Sequence, residues 1–296
     1  MTEQLDRAWL QANPLPQLDA AGDKNARGRV LVVGGAEFVP GALRLTGEAA
    51  LRAGAGKLQM ATVRAAAMSL AVLVPEAAMI ALPADDDGEI AVDAASLLVE
   101  RVASCDALVL GPGMSVGART EELVAALLRA ATGQTIVLDA AALTCAGNLR
   151  ELIAAQQGRL IMTPHHGEMS HLTGIDVQDI AANPATAATQ LARDFDVVVV
   201  LKGVETLIAS SRAPMLLFDG GCKGLATSGS GDVLAGIVGG IAARGAAPQV
   251  AAAWGVFLHG AAGTRLAGDM AEVGFLARDL LPIIPALIAD IQPRQL

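Results

Sequence analysis

The stretch DVVVVLKG, residues 196–203, carries four consecutive valines and a leucine between an acidic and a basic residue. A strand that is apolar at every position is buried on both faces, as strands are in a parallel sheet covered by helices. We therefore expect a central strand here, with Lys202 emerging at its end. Six similar runs precede it along the chain, at residues 29–35, 57–62, 78–83, 106–111, 135–140 and 159–163.

Alanine-rich segments typical of helices lie between these runs, near residues 41–54, 92–103, 118–131 and 184–194. Strands and helices that alternate in this way predict an α/β fold whose parallel sheet has helices on both faces. After residue 203 the pattern changes, and two short runs at 206–210 and 215–220 predict antiparallel edge strands. Three further helices are expected near residues 232–243, 247–267 and 276–290.

The whole pattern predicts a three-layer α/β/α architecture with a mainly parallel central sheet and antiparallel edge strands. Residues 1–27 are polar and irregular, and we expect an N-terminal arm or a lead-in helix there. No repeat or linker interrupts residues 28–296, so they are expected to form one domain.

Composition limits the classes of function. Hydrophobic residues make up 53% of the 296 residues and charged residues 17%, which excludes an intrinsically disordered chain. Aromatic residues account for only 2%, with no tyrosine, so stacking platforms for single-stranded nucleic acid are not expected. A net charge of −9 also argues against binding to a phosphate backbone.

The cysteines and the apolar segments predict a cytoplasmic protein. The chain has three cysteines, widely spaced and without a CxxC pair, as in proteins that keep reduced thiols. The first 27 residues lack the apolar centre of a signal peptide. The charge-free stretch 245–264 contains a proline, a histidine and four glycines, so we interpret it as a buried helix and not a membrane span.

The loop SGSGD, residues 228–232, has the features of an anion site. Its two glycines let the backbone approach a ligand closely, and the apolar segment that follows predicts a helix whose N-terminus faces that ligand. Asp232 is the one charged residue between residues 224 and 240. Asp232 either acts on the bound anion or simply caps the helix.

Other polar residues follow the predicted strands at the edge where α/β sheets bind their ligands. Lys202 ends one strand, and Asp139 ends another, where it either faces the ligand or caps the next helix. The segment MTPHHGEM places His165, His166 and Glu168 after a third strand. A metal site is one reading of these three residues, but their spacing favours a loop that contacts the ligand.

Several segments together resemble the NAD(P)H-hydrate dehydratases, a family with the ribokinase-like fold. The resemblance runs from about residue 28 to 268 and rests on the motifs VLVVGGAEFVPGALRLTG, DALVLGPGM, IVLDAAAL, TPHHGEM, VVVLKGVET and ATSGSGDVLAGIVGG, in that order. It implies a lyase that repairs hydrated NADH or NADPH. A nucleotide, ADP or less often ATP, phosphorylates the hydrate hydroxyl, and phosphate is then eliminated.

The resemblance also implies roles for individual residues. Asp232 would be the catalytic base, and Mg²⁺ would bridge the phosphates with no residue assigned as its direct ligand. The anion hole would consist of Gly229, Ser230 and Gly231. The nucleotide would bind to Lys202, Gly203, Val204, Glu205, Thr206 and Gly231, and the substrate would bind to Ala42, Gly113, His165 and Asp232. Asp139 and Glu168 are further candidates for the site.

The implied partners are the hydrated dinucleotide and an adenine nucleotide, without nucleic acid or membrane. A homo-oligomer is also expected, a tetramer by resemblance, because the predicted helices near 41–54 and 247–267 carry few charges. The sequence departs from the family pattern at Ser115, at Ala141 and Thr144, and at Cys222–Lys223. Two alternatives stay open: a kinase of a small alcohol or vitamin precursor, and a catalytically silent nucleotide-binding regulator.

Overall fold

The computed structural model describes residues 2–17 and 24–292. Within them, one mixed sheet forms the centre of the fold. Its strands are β1 (Thr2–Gln4), β2 (Arg29–Val33), β3 (Lys57–Val63), β4 (Ala77–Leu82), β5 (Ala107–Leu110), β6 (Thr135–Leu138), β7 (Leu160–Met162), β8 (Val198–Leu201), β9 (Thr206–Ser210) and β10 (Met215–Phe218).

The strand order across the sheet is β1-β10-β9-β8-β7-β6-β5-β2-β3-β4. Only β9 runs against the others, because it pairs antiparallel with both β8 and β10, while β1 pairs parallel with β10. The carboxyl ends of β2, β5, β6, β7, β8 and β10 therefore meet at one edge, together with the start of β9. This edge carries the candidate site.

Helices cover both faces of the sheet. They are α1 (Arg7–Ala12), α2 (Pro40–Arg52), α3 (Arg64–Leu73), α4 (Ala95–Ser104), α5 (Ala118–Ala130), α6 (Ala140–Thr144), α7 (Arg150–Ala154), α8 (His166–Thr173), α9 (Val177–Ala182), α10 (Pro184–Phe195), α11 (Ser230–Ala243), α12 (Pro248–Asp269), α13 (Ala277–Leu280) and α14 (Ile284–Ile291).

Successive side chains of each strand point to opposite faces, so the buried residues form two cores. In β2, Val30 and Val32 belong to the core under α2, α11 and α12, while Leu31 and Val33 belong to the core under α4, α5 and α10. The fully apolar pattern of the central strands follows from this double burial. The predicted three-layer architecture is confirmed.

Each of the seven predicted central strands coincides with one of β2 to β8, and the two predicted antiparallel strands are β9 and β10. Helices α2, α4, α5, α10, α11 and α12 lie where helices were expected, and the last predicted helix is α13, a short 3-10 turn and α14.

Four elements were not expected from the sequence. Strand β1 extends the sheet beyond β10, and α3, α7 and α9 were not predicted. The predicted N-terminal segment and the predicted domain both include positions outside the described residues, namely 1, 18–23 and 293–296. The division at residue 27 stays a prediction.

Helix α11 packs closely against α2 because glycines face the contact. A Cβ atom on Gly236 would lie 2.2 Å from the carbonyl oxygen of Thr46, and one on Gly240 would lie 2.4 Å from that of Ala50. This explains why an apolar helix contains residues of low helix propensity. The low charge of α12 follows from its burial inside the chain and therefore carries no information about a second copy. Helix α2 is not low in charge, because Arg44, Glu48 and Arg52 are among its 13 residues.

No helix among the described residues combines the length and hydropathy that crossing a membrane requires.

Candidate functional site

Three charged side chains meet where β6, β7 and β8 end. Lys202 Nζ donates to Asp139 Oδ1 at 3.3 Å and lies 3.6 Å from Glu168 Oε2. Asp139 also accepts a hydrogen bond of 2.6 Å from the hydroxyl of Thr163. Its side chain is 4% exposed and that of Lys202 22%, so this ion pair is largely shielded from solvent.

Asp139 occupies the N-cap position of α6, but its side chain makes no capping hydrogen bond. The carboxylate faces Lys202 instead, which decides between the two readings of this residue. The next residue, Ala140, has a φ of 48°, a backbone conformation that is strained for a residue with a Cβ atom. Such strain is often found at functional sites, and Ala140 lines the candidate cavity described below.

His165 begins α8 through a reciprocal capping arrangement. Its Nδ1 accepts from the backbone N–H groups of Gly167 and Glu168 at 3.0 and 3.1 Å, and the Glu168 carboxylate accepts from the His165 N–H at 2.8 Å. The Nδ1 atom is therefore an acceptor, so Nε2 is the donor nitrogen of the neutral ring, and it lies 3.6 Å from Glu168 Oε2. The segment is attached to β8 because the Lys202 N–H donates to Pro164 O at 2.8 Å.

The predicted anion loop leads directly into α11. Gly229 is the N-cap residue, with a φ of 87° in the left-handed region that glycine tolerates, and no side chain caps this helix. Asp232 is the third helical residue, and its carboxylate has no hydrogen-bond partner within residues 2–17 and 24–292. The capping explanation for Asp232 is therefore not supported.

The surroundings of Asp232 raise its pKa to about 7. Burial is the largest cause, and the negative charges of Asp139 and Glu168 add to it, while Lys202 acts in the opposite direction. A carboxyl group that titrates near neutral pH is able to accept a proton from a substrate and to release it again.

The pKa of Lys202 is shifted upward. Burial alone lowers it, but the charges and hydrogen bonds of Asp139 and Glu168 outweigh burial. Lys202 therefore remains protonated and neutralises part of the negative charge. A Cβ atom on Gly231 would lie 3.5 Å from Lys202 Nζ and 3.9 Å from Asp139 Oδ2, so the N-terminus of α11 adjoins the ion pair.

A cavity of about 1300 Å³ opens over these groups. It extends from the ends of β6, β7 and β8 past the start of α11 to the loop after β10 and to α12. Ten of the predicted site residues line it: Asp139, His165, Glu168, Lys202, Gly203, Val204, Thr206, Ser230, Gly231 and Asp232.

Four predicted site residues do not line this cavity. Ala42 and Gly113 lie together, since a Cβ atom on Gly113 would be 3.1 Å from that of Ala42, and they occupy the same edge of the sheet near the ends of β2 and β5. Gly229 adjoins Leu45, whose Cδ1 would lie 2.5 Å from a Cβ atom on the glycine, and Glu205 is exposed.

Several residues that line the cavity were not predicted. The loop after β10 contributes Asp219, Cys222, Lys223 and Thr227, and α12 contributes His259. The position of the loop between a strand end and the SGSGD motif was a usable signal. The sequence contained no comparable signal for His259, because a single histidine in a charge-free helix usually belongs to the core.

The departures from the family pattern differ in their distance from the cavity. Ala141 is buried beneath the surface of the site, the Thr144 hydroxyl bonds to Ala140 O, and the Ser115 hydroxyl bonds to Glu89. Cys222 and Lys223 alone among the departures line the cavity.

The donor chemistry of the site fits a magnesium–nucleotide complex. Within the described residues no three or more histidine, cysteine, aspartate or glutamate side chains form a metal-binding group. Mg²⁺ commonly takes one or two carboxylates and completes its shell with phosphate oxygens and water. Asp139, Glu168 and Asp232 supply carboxylates beside a cavity large enough for phosphates.

Comparison with known proteins identifies close relatives. The family model described as NAD(P)H-hydrate dehydratase matches residues 30–286. An ADP-dependent (S)-NAD(P)H-hydrate dehydratase from Xanthomonas campestris is 45% identical, over 97% of this chain and 96% of that protein.

Solved structures agree with this relationship. The ADP/ATP-dependent NAD(P)H-hydrate dehydratase of Bacillus subtilis, co-crystallised with ATP and Mg²⁺, superposes with a TM-score of 0.81 at 25% identity, covering 98% of this chain and 99% of that one. A ribokinase-like superfamily protein of Enterococcus faecalis gives a TM-score of 0.83 at 23% identity, covering 98% and 96%. The fold is therefore ribokinase-like.

Proposed function

This chain belongs to the NAD(P)H-hydrate dehydratase family, and from that premise we propose that it converts hydrated NADH or NADPH back to the reduced cofactor at the expense of a nucleotide. ADP is the proposed phosphate donor, supported by the ADP dependence in the name of the Xanthomonas relative. The reaction is a dehydration, so the enzyme acts as a carbon–oxygen lyase in cofactor repair.

The observation that carries the proposal is the environment of Asp232. Its carboxylate has no hydrogen-bond partner among the described residues, lines the cavity, and has a pKa raised to about 7. A general base works best when its pKa lies near the working pH and it is free to reach its proton.

In the proposed mechanism Asp232 removes the proton of the hydrate hydroxyl. The oxygen then attacks the terminal phosphorus of the nucleotide, and the bond from that phosphorus to its bridging oxygen breaks. Phosphorylation turns hydroxide, a poor leaving group, into phosphate, a good one. Loss of phosphate is assisted by the electron pair of the ring nitrogen, and loss of a ring proton restores the double bond.

The N-terminus of α11 is suited to the charge that develops during transfer. Gly229, Ser230 and Gly231 form the proposed anion hole, and the helix adds its positive end. Gly229 and Gly231 would donate through their backbone N–H groups and Ser230 through its hydroxyl, because the Ser230 N–H already donates to Thr227 O. Lys202 lies beside Gly231, so its charge also favours a phosphate at this point.

We assign the nucleotide to the turn Lys202–Thr206, together with Gly231. Lys202, Gly203, Val204 and Thr206 line the cavity next to the anion loop, while Glu205 is exposed beside them. Mg²⁺, held by the phosphates with help from Asp139 or Glu168, would neutralise the negative charge on the transferring group.

The hydrated dinucleotide is assigned to Ala42, Gly113 and His165 with Asp232. Ala42 and Gly113 continue the same sheet edge away from the nucleotide side. The Nδ1 atom of His165 is engaged in the cap of α8, so Nε2, which lies 3.6 Å from Glu168 Oε2, is the ring nitrogen proposed to contact the dinucleotide. The two substrates would then approach each other at Asp232.

The test follows the regain of absorbance when purified protein is mixed with hydrated NADH, Mg²⁺ and either ADP or ATP. Nucleotide-dependent regain is expected, and Asp232→Asn should lower the rate by at least ~100-fold, the lower range for loss of a general base. Asp86→Asn is the matched control, because Asp86 is an exposed carboxylate in the loop after β4, away from the cavity.

Absence of regain with either nucleotide, in protein that binds nucleotide, would contradict the proposal. Phosphate analysis then separates the alternatives. A small-molecule kinase yields a stable phosphoester from an alcohol substrate, whereas a silent regulator yields neither phosphoester nor inorganic phosphate.

We also propose a cytoplasmic homo-oligomer, with a tetramer suggested by resemblance. The three cysteines are free. On α3, Met68 is 74% exposed and Val72 79%, one turn apart beside edge strand β4, an apolar surface of the kind that subunits cover. Light scattering after size-exclusion chromatography tests this, and a monomer at micromolar concentration would contradict it.

A further inference from the structure

Ser230, the first residue of α11, is in contact with a histidine from another helix. Its hydroxyl oxygen lies 2.8 Å from His259 Nε2 on α12. Ser230 is 5% exposed, and both residues line the cavity beside Asp232. The two side chains are 29 residues apart in sequence, so folding brings them together at the anion loop.

We propose that His259 is a positioning residue that donates from Nε2–H to the Ser230 oxygen and thereby directs the Ser230 hydroxyl proton toward the terminal phosphate of the nucleotide. This inference rests on the proposed function, because it takes the N-terminus of α11 as the phosphate site. His259 itself does not touch the phosphate.

The direction of this hydrogen bond matters because a serine hydroxyl has one proton to donate and two lone pairs. If Nε2 accepted that proton, the hydroxyl would present only lone pairs to the cavity and would repel an anion. If Nε2–H donates, one lone pair is occupied and the proton is available. Only the second arrangement adds a donor to the backbone N–H groups of the loop.

The surroundings of His259 keep the ring neutral. Burial is the main cause, and Lys202 adds to it, so that the pKa of His259 falls to about 4 although a hydrogen bond with the backbone of Ser230 acts in the opposite direction. A neutral imidazole has one N–H donor and one acceptor nitrogen. Its orienting effect therefore does not depend on protonation at neutral pH.

The backbone holds Ser230 in place independently of the histidine. Its N–H donates to Thr227 O at 3.2 Å, and the preceding Gly229 adopts a left-handed conformation. Loss of the imidazole should therefore free the hydroxyl rotor and leave the loop backbone in position. This separates an effect on phosphate recognition from a general loss of structure.

The experiment measures binding of AMP, ADP and ATP with Mg²⁺ by titration calorimetry, so that it does not depend on dehydratase activity. We compare the full-length protein with Ser230→Ala, His259→Leu and the double variant. A hydrogen bond to a charged group is lost in each, so ADP or ATP affinity should fall about tenfold. AMP, which lacks the terminal phosphate, should bind as in the wild type.

The double variant should lose no more affinity than either single variant, because both substitutions remove the same interaction. His259→Gln should restore ADP binding to within about threefold of wild type, because its amide is a donor of similar reach. If His259→Leu does not fold, His259→Asn replaces it, since its shorter amide does not reach the Ser230 oxygen.

Equal weakening of AMP and ADP binding, additive losses in the double variant, or wild-type ADP affinity in His259→Leu would each overturn the inference. So would a wild-type protein that binds AMP and ADP equally well. Failure of the proposed function has a different signature. In that case the variants still lose affinity for ADP but not for AMP, and the wild-type protein does not convert hydrated NADH.

Discussion

Asp232→Asn should stabilise the protein at alkaline pH although it removes the proposed catalytic base. Burial and the neighbouring carboxylates raise the pKa of Asp232 from 3.8 to about 7. The folded protein therefore binds this proton more tightly than the unfolded chain does. The resulting contribution to stability is fully present below about pH 4 and is lost as the pH rises through 7. Asparagine does not ionise and escapes this loss.

The size of the effect follows from the pKa difference of about three. Each pKa unit corresponds to about 1.4 kcal/mol, so the upper limit above pH 7 is about 4 kcal/mol. Solvent reaches part of the Asp232 side chain, and the variant loses a favourable charge in the first turn of α11. We therefore expect a gain of about 1–3 kcal/mol in the free energy of unfolding at pH 8.

Urea unfolding of wild type and variant at pH 5, 6.5 and 8 measures the gain, with equal m-values required for the comparison. The gain should be largest at pH 8 and should shrink toward pH 5. Asp86→Asn, the exposed control, should show no such trend. A gain that is the same at all three pH values, or a variant less stable than wild type at pH 8, would refute the electrostatic reasoning.

Three further predictions follow from the same geometry. The kcat/KM of the wild type should rise about tenfold per pH unit below 7 and level off above it, because Asp232 must be deprotonated; a pH-rate profile that is flat between 5 and 8 would exclude it as the base. In Lys202→Gln the midpoint of that rise should move to higher pH, because Lys202 lowers the pKa of Asp232; the profile of the variant measures this. Gly236→Ala should lower the free energy of unfolding by at least ~2 kcal/mol in urea, because its Cβ would lie 2.2 Å from Thr46 O.

The central strands were predictable because each is buried on both faces and therefore apolar at every position. Strand β1 was not predictable, because its three residues are exposed and polar and its pairing uses the backbone alone. Helix α3 follows β3 without a break and has no side chain that caps it. Neither element carries the side-chain pattern on which sequence-based prediction depends.

The candidate site was predictable where a polar residue ends an apolar strand. Asp139 and Lys202 were found in this way, since a charged group after a buried strand marks the edge of a parallel sheet. His259 was missed because its partner Ser230 lies on a different helix. The raised pKa of Asp232 was also not predictable, because it depends on how deeply the fold buries the carboxyl group and on the charges of Asp139, Lys202 and Glu168, which are distant in sequence.

The pairing of β1 with β10 has a consequence for the order of folding. Residues 2–17 reach partners more than 200 positions later in the chain: Thr2 pairs with Met215, and Trp254 Nε1 donates to Asn13 O. Contacts of such sequence separation form slowly, because a long loop must close before any of them is gained. During synthesis, β1 leaves the ribosome long before β10 has been made. The polar side chains of β1 disfavour association of this unpaired strand with other chains until β10 is available.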